Sequence, residues 1–301
     1  MPITEHTIAG PSDGPYAVAV TADALWTTLV HTGQIARLQR GGEPAADDDR
    51  TGAGMPAARE ARFELGAPGS RPSLIVPGPD DAVWFTRNGD DHLGRIGYDG
   101  AVSAVAVAGA PYGLCVGPDG ALWCTLMNVD QIGRVTVDGE VSTYAIGTSG
   151  AFPAMITATD DELWFTLNQA NAIGRMSTSG EATTYPLPTE GAGPVGVSSG
   201  PQGVWFVEIL ADQAGRITPD GKIEEFPLPA GSKPHAVVAT DDGGCWITLW
   251  AAAALVRLDA NGNIIAQFNL GEGSEPHGLA IDTDGSVWVA LEKGSLAYVT
   301  T

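Results

Sequence analysis

The stretch "PYGLCVGPDGALWCTLMNVDQIGRV", residues 111–135, decides the fold of this 301-residue chain. Its short β-prone runs, "GLCV", "LWCT" and "IGRV", are joined by turn sequence such as "PDG", and it has no helical periodicity. Trp123 lies 12 residues after Pro111 and 11 before Arg134. The same three landmarks mark the rest of the chain. Seven tryptophans, Trp26, Trp84, Trp123, Trp164, Trp205, Trp246 and Trp288, follow one another at separations of 58, 39, 41, 41, 41 and 42. A proline stands 11 or 12 residues before each: Pro15, Pro72, Pro111, Pro153, Pro194, Pro234 and Pro276. Arg37, Arg95, Arg134, Arg175, Arg216 and Arg257 each lie 11 residues after their tryptophan, and the seventh unit has Tyr298 instead.

A repeat of about 40 residues with glycine and aromatic punctuation is the pattern of a β-propeller blade of four antiparallel strands. The expectation is therefore an all-β, seven-bladed propeller filling residues 1–301 as one domain. Runs such as "TTYPL" and "EEFPL" read as outer strands, and a further copy, "TEHTI", stands at residues 4–8, ahead of the first blade. The carboxyl end, "LAYVTT", has none. The amino-terminal strand is thus expected to complete the last blade and cover its edge. The irregular separation of 58 comes from residues 41–60, "GGEPAADDDRTGAGMPAARE", which read as a solvated acidic loop inserted in the first blade.

Composition limits the function. A net charge of −21 repels nucleic acid and anionic membrane surfaces, so neither is an expected partner, and a small neutral or cationic molecule suits the surface better. Three cysteines, Cys115, Cys124 and Cys245, have no metal-ligand spacing and imply free thiols in place of a disulfide framework. The amino terminus has no basic start or long apolar run, and no segment approaches the length of a membrane span, so the expectation is a cytoplasmic protein. A monomer is expected as well.

Chemistry concentrates at one register. The residue after each repeat proline should face the propeller axis, and these are Tyr16, Ser73, Tyr112, Ala154, Val195, His235 and His277. His235, His277 and Tyr16 belong to blades six, seven and one, which become neighbours when the ring closes. The start of the inner strand and the end of the tryptophan strand share a face, so Glu275 and His277 should lie near Glu292. Trp250 is expected to end the tryptophan strand of blade six and to stand beside them as an apolar wall. His6, His31 and His92 lack such company and read as structural, and Glu208 and Asn168 read as channel-lining or surface groups.

Two carboxylates with room for water suit Mg²⁺, whereas zinc would ask for more nitrogen or sulfur. A histidine beside a hard cation suits proton abstraction next to a carbonyl. A propeller lactone hydrolase of the gluconolactonase type and a non-catalytic binding propeller are the competing readings.

The combination "KPH" at 233–235, "EPHG" at 275–278 and Glu292, on repeats of the form P-x-G-L, D-G-x-L-W-F-T and I-G-R, resembles the streptogramin B (virginiamycin B) lyases along the whole chain. The resemblance implies a lyase that linearises cyclic depsipeptide antibiotics by elimination across a threonine ester, with antibiotic resistance as the result. It implies His277 as the proton-transferring residue, Glu275 and Glu292 as Mg²⁺ ligands, and His235 and Tyr16 as substrate contacts. Tyr112 and Trp250 complete the expected substrate-binding set. The insertion at 41–60 and the run "WAAAAL" after Leu249 depart from the family pattern.

Overall fold

Each repeat tryptophan sits directly across the strand pair from the residue eleven or ten positions later. Trp26 faces Arg37, Trp123 faces Arg134, Trp205 faces Arg216 and Trp246 faces Arg257, while Trp288 faces Tyr298. The guanidinium lies over the indole, 5.2 Å from the ring centroid in the Arg37–Trp26 pair and 5.9 Å in the Arg134–Trp123 pair. An aspartate in the preceding turn ties the two together: Asp119 accepts from Trp123 Nε1 at 2.9 Å and from Arg134 Nε at 2.6 Å. Asp80 does the same for Trp84 and Arg95. The D-G-x-L-W spacing and the later arginine are thus one cross-strand unit, in which a cation over a ring contributes about 0.5–1 kcal/mol.

The structure, a computed structural model, describes residues 3–40 and 60–300. Seven four-stranded antiparallel sheets form a seven-bladed β-propeller. Blade three shows the plan: an inner strand, Pro111–Val116, a tryptophan strand, Leu122–Leu126, then Gln131–Val135 and the outer strand Val141–Ala145. Each inner strand packs on the next, and Pro276–Ile281 of blade seven packs on Pro15–Val20 of blade one, which closes the ring.

The last blade is completed as expected. Ile3–Thr7 pairs with Ser295–Val299 in antiparallel register, from Ile3 opposite Val299 to Thr7 opposite Ser295. The core lies between blades. Trp288 and Leu296 of blade seven pack with Ile8 and with Val18, Leu25 and Leu29 of blade one, so the closing strand's own connection is buried at the seam. The acidic insertion expected at 41–60 falls on residues 41–59, outside the described residues; Glu60 already opens the outer strand Glu60–Glu64 of the first blade. The three cysteines are free; Cys124 and Cys245 are buried and Cys115 partly so.

A second repeated device joins neighbouring blades. In every blade the inner strand bulges just after its proline, which takes the backbone out of ladder register. In five blades a threonine of the tryptophan strand repairs the break. Thr248 Oγ1 accepts the Ala236 N–H at 3.0 Å and donates to the carbonyl of His277, in the next blade, at 2.8 Å. Thr86 does the same for the Leu74 N–H and the Tyr112 carbonyl. These hydroxyls therefore fix the backbone of residues on the axial register.

Candidate active site

Every residue that precedes a repeat proline adopts the left-handed conformation, with φ of +68° at Gly14, +57° at Ala110, +49° at Lys233 and +45° at Glu275. For a residue with a Cβ this costs about 1 kcal/mol or more, and it turns the chain sharply into the inner strand so that the residue after the proline enters the channel mouth. Tyr16, Tyr112, His235 and His277 all arrive by this route.

The four form one cluster. The Tyr16 ring lies 4.5 Å from that of His277 and 5.7 Å from that of His235, and the two imidazoles are 4.7 Å apart at a near-perpendicular angle. The Tyr16 hydroxyl is hydrogen-bonded to the Tyr112 hydroxyl and, at 3.2 Å, to His235 Nε2. Tyr112 belongs to blade three, yet it reaches Tyr16 because the channel is narrow at this level. Below the cluster runs a cavity of about 690 Å³ with walls that are mostly apolar, including Val18, Leu74, Leu114 and Val237, ending at Asp241 and Gly285 towards the opposite face. The aromatic cluster is thus the floor of the site face.

Burial sets the protonation of this floor. It pushes the Tyr16 and Tyr112 phenols up, so both remain hydrogen-bond donors at neutral pH. It also drives His235 down to about 3, with His277 adding to the effect, so His235 is neutral.

His277 makes the shortest polar contact of the site with a carboxylate: its Nε2 is 2.6 Å from Glu292 Oε2. Its Nδ1 is buried without a partner. Glu292 opens the turn after the tryptophan strand of blade seven, and its N–H donates to the Glu275 carbonyl at 3.4 Å, so the two acidic residues leave adjacent points of one face. The hydrogen bond from His277, aided by one from His31, holds the Glu292 carboxyl down at about 2, so it stays ionised. The Glu275 side chain is exposed.

Three expectations need correction. His31 is not an isolated structural histidine: its Nε2 lies 2.8 Å from Glu292 Oε1, which places it at the site. Trp250 does not end the tryptophan strand of blade six, which stops at Leu249; it opens the following turn, with the Lys233 ammonium 6.0 Å from its ring centroid. Its Nε1 is buried without a partner. Glu208 is fully buried between strands, whereas a channel-lining or surface position was expected. Sequence reasoning also passed over Thr248 and Thr86, which anchor His277 and Tyr112 through their carbonyls; the threonine that recurs two residues after five of the tryptophans was the available signal.

Among the described residues no three His, Cys, Asp or Glu side chains converge as a metal cage. What the face offers a cation is two carboxylates, one ionised and held by imidazoles, the other open to water. That donor set suits a hard ion that keeps most of its hydration, such as Mg²⁺, and does not suit zinc.

Comparison with known proteins shows the family. A model of the virginiamycin B lyase family matches residues 1–299. The crystal structure of selenomethionine-substituted virginiamycin B lyase from Staphylococcus aureus superposes with a TM-score of 0.89 at 32% identity, covering 100% of this chain and 99% of that one. A catalytically inactive histidine-to-alanine variant of virginiamycin B lyase from the same organism, solved with quinupristin, gives 0.88 at 32% identity over the same shares. A curated virginiamycin B lyase of Saccharopolyspora erythraea is 55% identical over 42 residues, a segment that spans only 14% of either protein. The chain belongs to the virginiamycin B lyase family.

Proposed function

We propose that the protein is a Mg²⁺-dependent carbon–oxygen lyase that opens streptogramin B cyclic depsipeptides by β-elimination at the threonine ester, and so inactivates them as antibiotics. The observation that carries this reading is the contact of His277 Nε2 with Glu292 Oε2 at 2.6 Å beside Glu275, on the open face of a virginiamycin B lyase family member. The S. aureus relative supports it, since replacing one histidine there leaves a catalytically inactive protein, solved with quinupristin.

In such an elimination the threonine Cα–H electron pair becomes the Cα=Cβ bond as a base removes the proton. The Cβ–O bond breaks, the ester oxygen leaves as part of a carboxylate, and no water is consumed. The Cα proton is weakly acidic, so the step needs a base within hydrogen-bond reach and positive charge near the carbonyl oxygen.

His277 is the base. A carboxylate only accepts, so Nε2 carries the hydrogen while it holds Glu292. Nε2 can take the Cα proton once its bond to Glu292 Oε2 is given up and the ring hydrogen resides on Nδ1. The carbonyl of His277, held by Thr248, keeps the ring in place while its side-chain partner changes. Glu275 and Glu292 would hold Mg²⁺, which supplies the positive charge that the enolate-like oxygen requires. Tyr16 and Tyr112, as protonated phenols, and neutral His235 form a polar floor for the peptide ring, and Trp250 with the Lys233 stem forms the wall above blade six.

The test is ring opening of a streptogramin B compound followed by mass spectrometry. His277→Ala should lower turnover by about a hundredfold or more while leaving substrate binding intact, because the lost proton transfer belongs to the transition state. His235→Ala should weaken binding as well as rate. A His277→Ala enzyme that keeps its activity sinks the assignment.

A further inference from the structure

We infer that His31 is a positioning residue for Glu292, holding that carboxylate by one oxygen so that the other is free to exchange between His277 and a divalent cation; this rests on the lyase reading above. His31 and Glu292 are 261 positions apart, on the corresponding turns of blades one and seven, and meet only because the ring closes. Their contact, Nε2 to Oε1 at 2.8 Å, uses the carboxylate oxygen that His277 does not.

The fold does not need a histidine at this position. The second residue after the tryptophan strand is Gly89, Asn128, Gln169, Leu210 and Ala251 in blades two to six. The His31 side chain is half exposed, so packing does not account for it either. Yet the surroundings are shaped to receive the ring. Gly14 lies against it with φ of +68°, and a Cβ there would come within 2.4 Å of the imidazole. The backbone is held on both sides, with the Val30 N–H donating to the Gly14 carbonyl at 3.0 Å and the His31 N–H to the Asp13 carbonyl at 3.2 Å. Asp13 is itself braced, accepting from Arg62 at 2.8 Å and from the Gly10 N–H at 2.9 Å. The imidazole is therefore delivered to Glu292 by a supported segment.

The arrangement answers a mechanical problem. His277 must leave Glu292 to act on a proton, and a carboxylate held only by His277 would swing into solvent when that bond breaks. With Oε1 retained by His31, Glu292 keeps its place and presents Oε2. Outer hydrogen-bond partners of ligating carboxylates typically change metal affinity by 10–100-fold.

The test uses the metal-stripped full-length protein with Mn²⁺ as the probe, its binding read by electron paramagnetic resonance, alongside steady-state kinetics in Mg²⁺. His31→Phe keeps a ring on Gly14 but has no N–H; His31→Gln places an amide N–H at a similar reach. The Mn²⁺ dissociation constant should rise about tenfold or more in His31→Phe and stay within about threefold of wild type in His31→Gln. The Mg²⁺ needed for half-maximal rate should follow the same order, with kcat at saturating Mg²⁺ less affected. His31→Ala serves as a second donor-free variant if the phenyl ring disturbs folding, judged by thermal melts. Equal Mn²⁺ affinity in wild type and both donor-free variants overturns the inference. Equal weakening in His31→Gln and His31→Phe also overturns it, because His31 would then be a ligand and not a donor to Glu292. Wild-type protein with no saturable Mn²⁺ binding overturns the metal reading itself, and the positioning role falls with it.

Discussion

Glu208→Leu should stabilise the propeller, and by more at alkaline than at acid pH. Glu208 ends the tryptophan strand of blade five; the corresponding residues are Leu29, Leu126, Leu167, Leu249 and Leu291, all at 0% exposure, and Arg87. Glu208 is also at 0% exposure, and neither of its carboxyl oxygens has a hydrogen-bond partner, so an acid occupies a leucine socket. Burial and the neighbouring Glu225 carboxylate, which accepts from both the backbone and hydroxyl of Thr189, push Glu208 up to about 8. Because the folded state holds this proton more tightly than the unfolded chain, the group's contribution to stability is present in full below about 4.5, the ordinary value, and is lost as pH rises to about 8. At 1.36 kcal/mol per unit, the loss across that window has a ceiling on the order of 4–5 kcal/mol. Leucine removes this pH-dependent loss and adds roughly 1.5–3 kcal/mol of apolar burial. At about 2–4 °C per kcal/mol, the variant should melt several degrees above wild type at pH 5 and on the order of 10 °C above it at pH 9. The assay is a calorimetric melt of both proteins at half-unit pH steps. A Tm difference that does not change between pH 5 and 9, or a variant less stable than wild type, refutes the reasoning.

Three further outcomes follow from the same structure. Deleting residues 1–10 removes the strand paired with Ser295–Val299 and the buried Ile8, and should lower stability by several kcal/mol; an unchanged melting temperature would argue against closure by this strand. His235, held down to about 3, resists charging in the fold, so its contribution is intact above about 6.5 and declines as pH falls towards 3; His235→Phe should flatten the acid limb of the stability curve, and an unaltered limb would show that other groups govern it. Glu275→Gln and Glu292→Gln keep shape but lose charge, so each should raise the Mg²⁺ required for half-maximal rate by about tenfold or more, and full activity of either in chelator would remove both from the metal site.

Much of this was readable in the sequence because each landmark has a physical job that recurs from blade to blade. Tryptophan, arginine and the turn aspartate meet across two adjacent strands, so their spacing is rigid and shows through sequence that otherwise varies between blades. The proline register likewise placed Tyr16, Tyr112, His235 and His277 on the axis. His31 escaped notice because it lies in a turn whose side chains vary freely, and its partner comes from the other end of the chain. The union of Tyr112 with Tyr16 depends on the channel's width, which no repeat spacing encodes. Glu208 was misjudged because burial at that register is carried by leucine in five of the other six blades, and an acid there reads as exposed. Trp250 and the strand end at Leu249 differ by one residue, a distinction that rests on where the turn's backbone hydrogen bonds begin.

The central claim, elimination by His277 in preference to hydrolysis, rests on whether water enters the product. Ring opening in water enriched in ¹⁸O, followed by mass spectrometry of the linear peptide, answers this directly. Elimination predicts a product with the same mass as the cyclic antibiotic, a dehydrated threonine and no label in the new carboxylate. A product heavier by one water, with ¹⁸O in that carboxylate, would contradict the account and make the protein a propeller hydrolase.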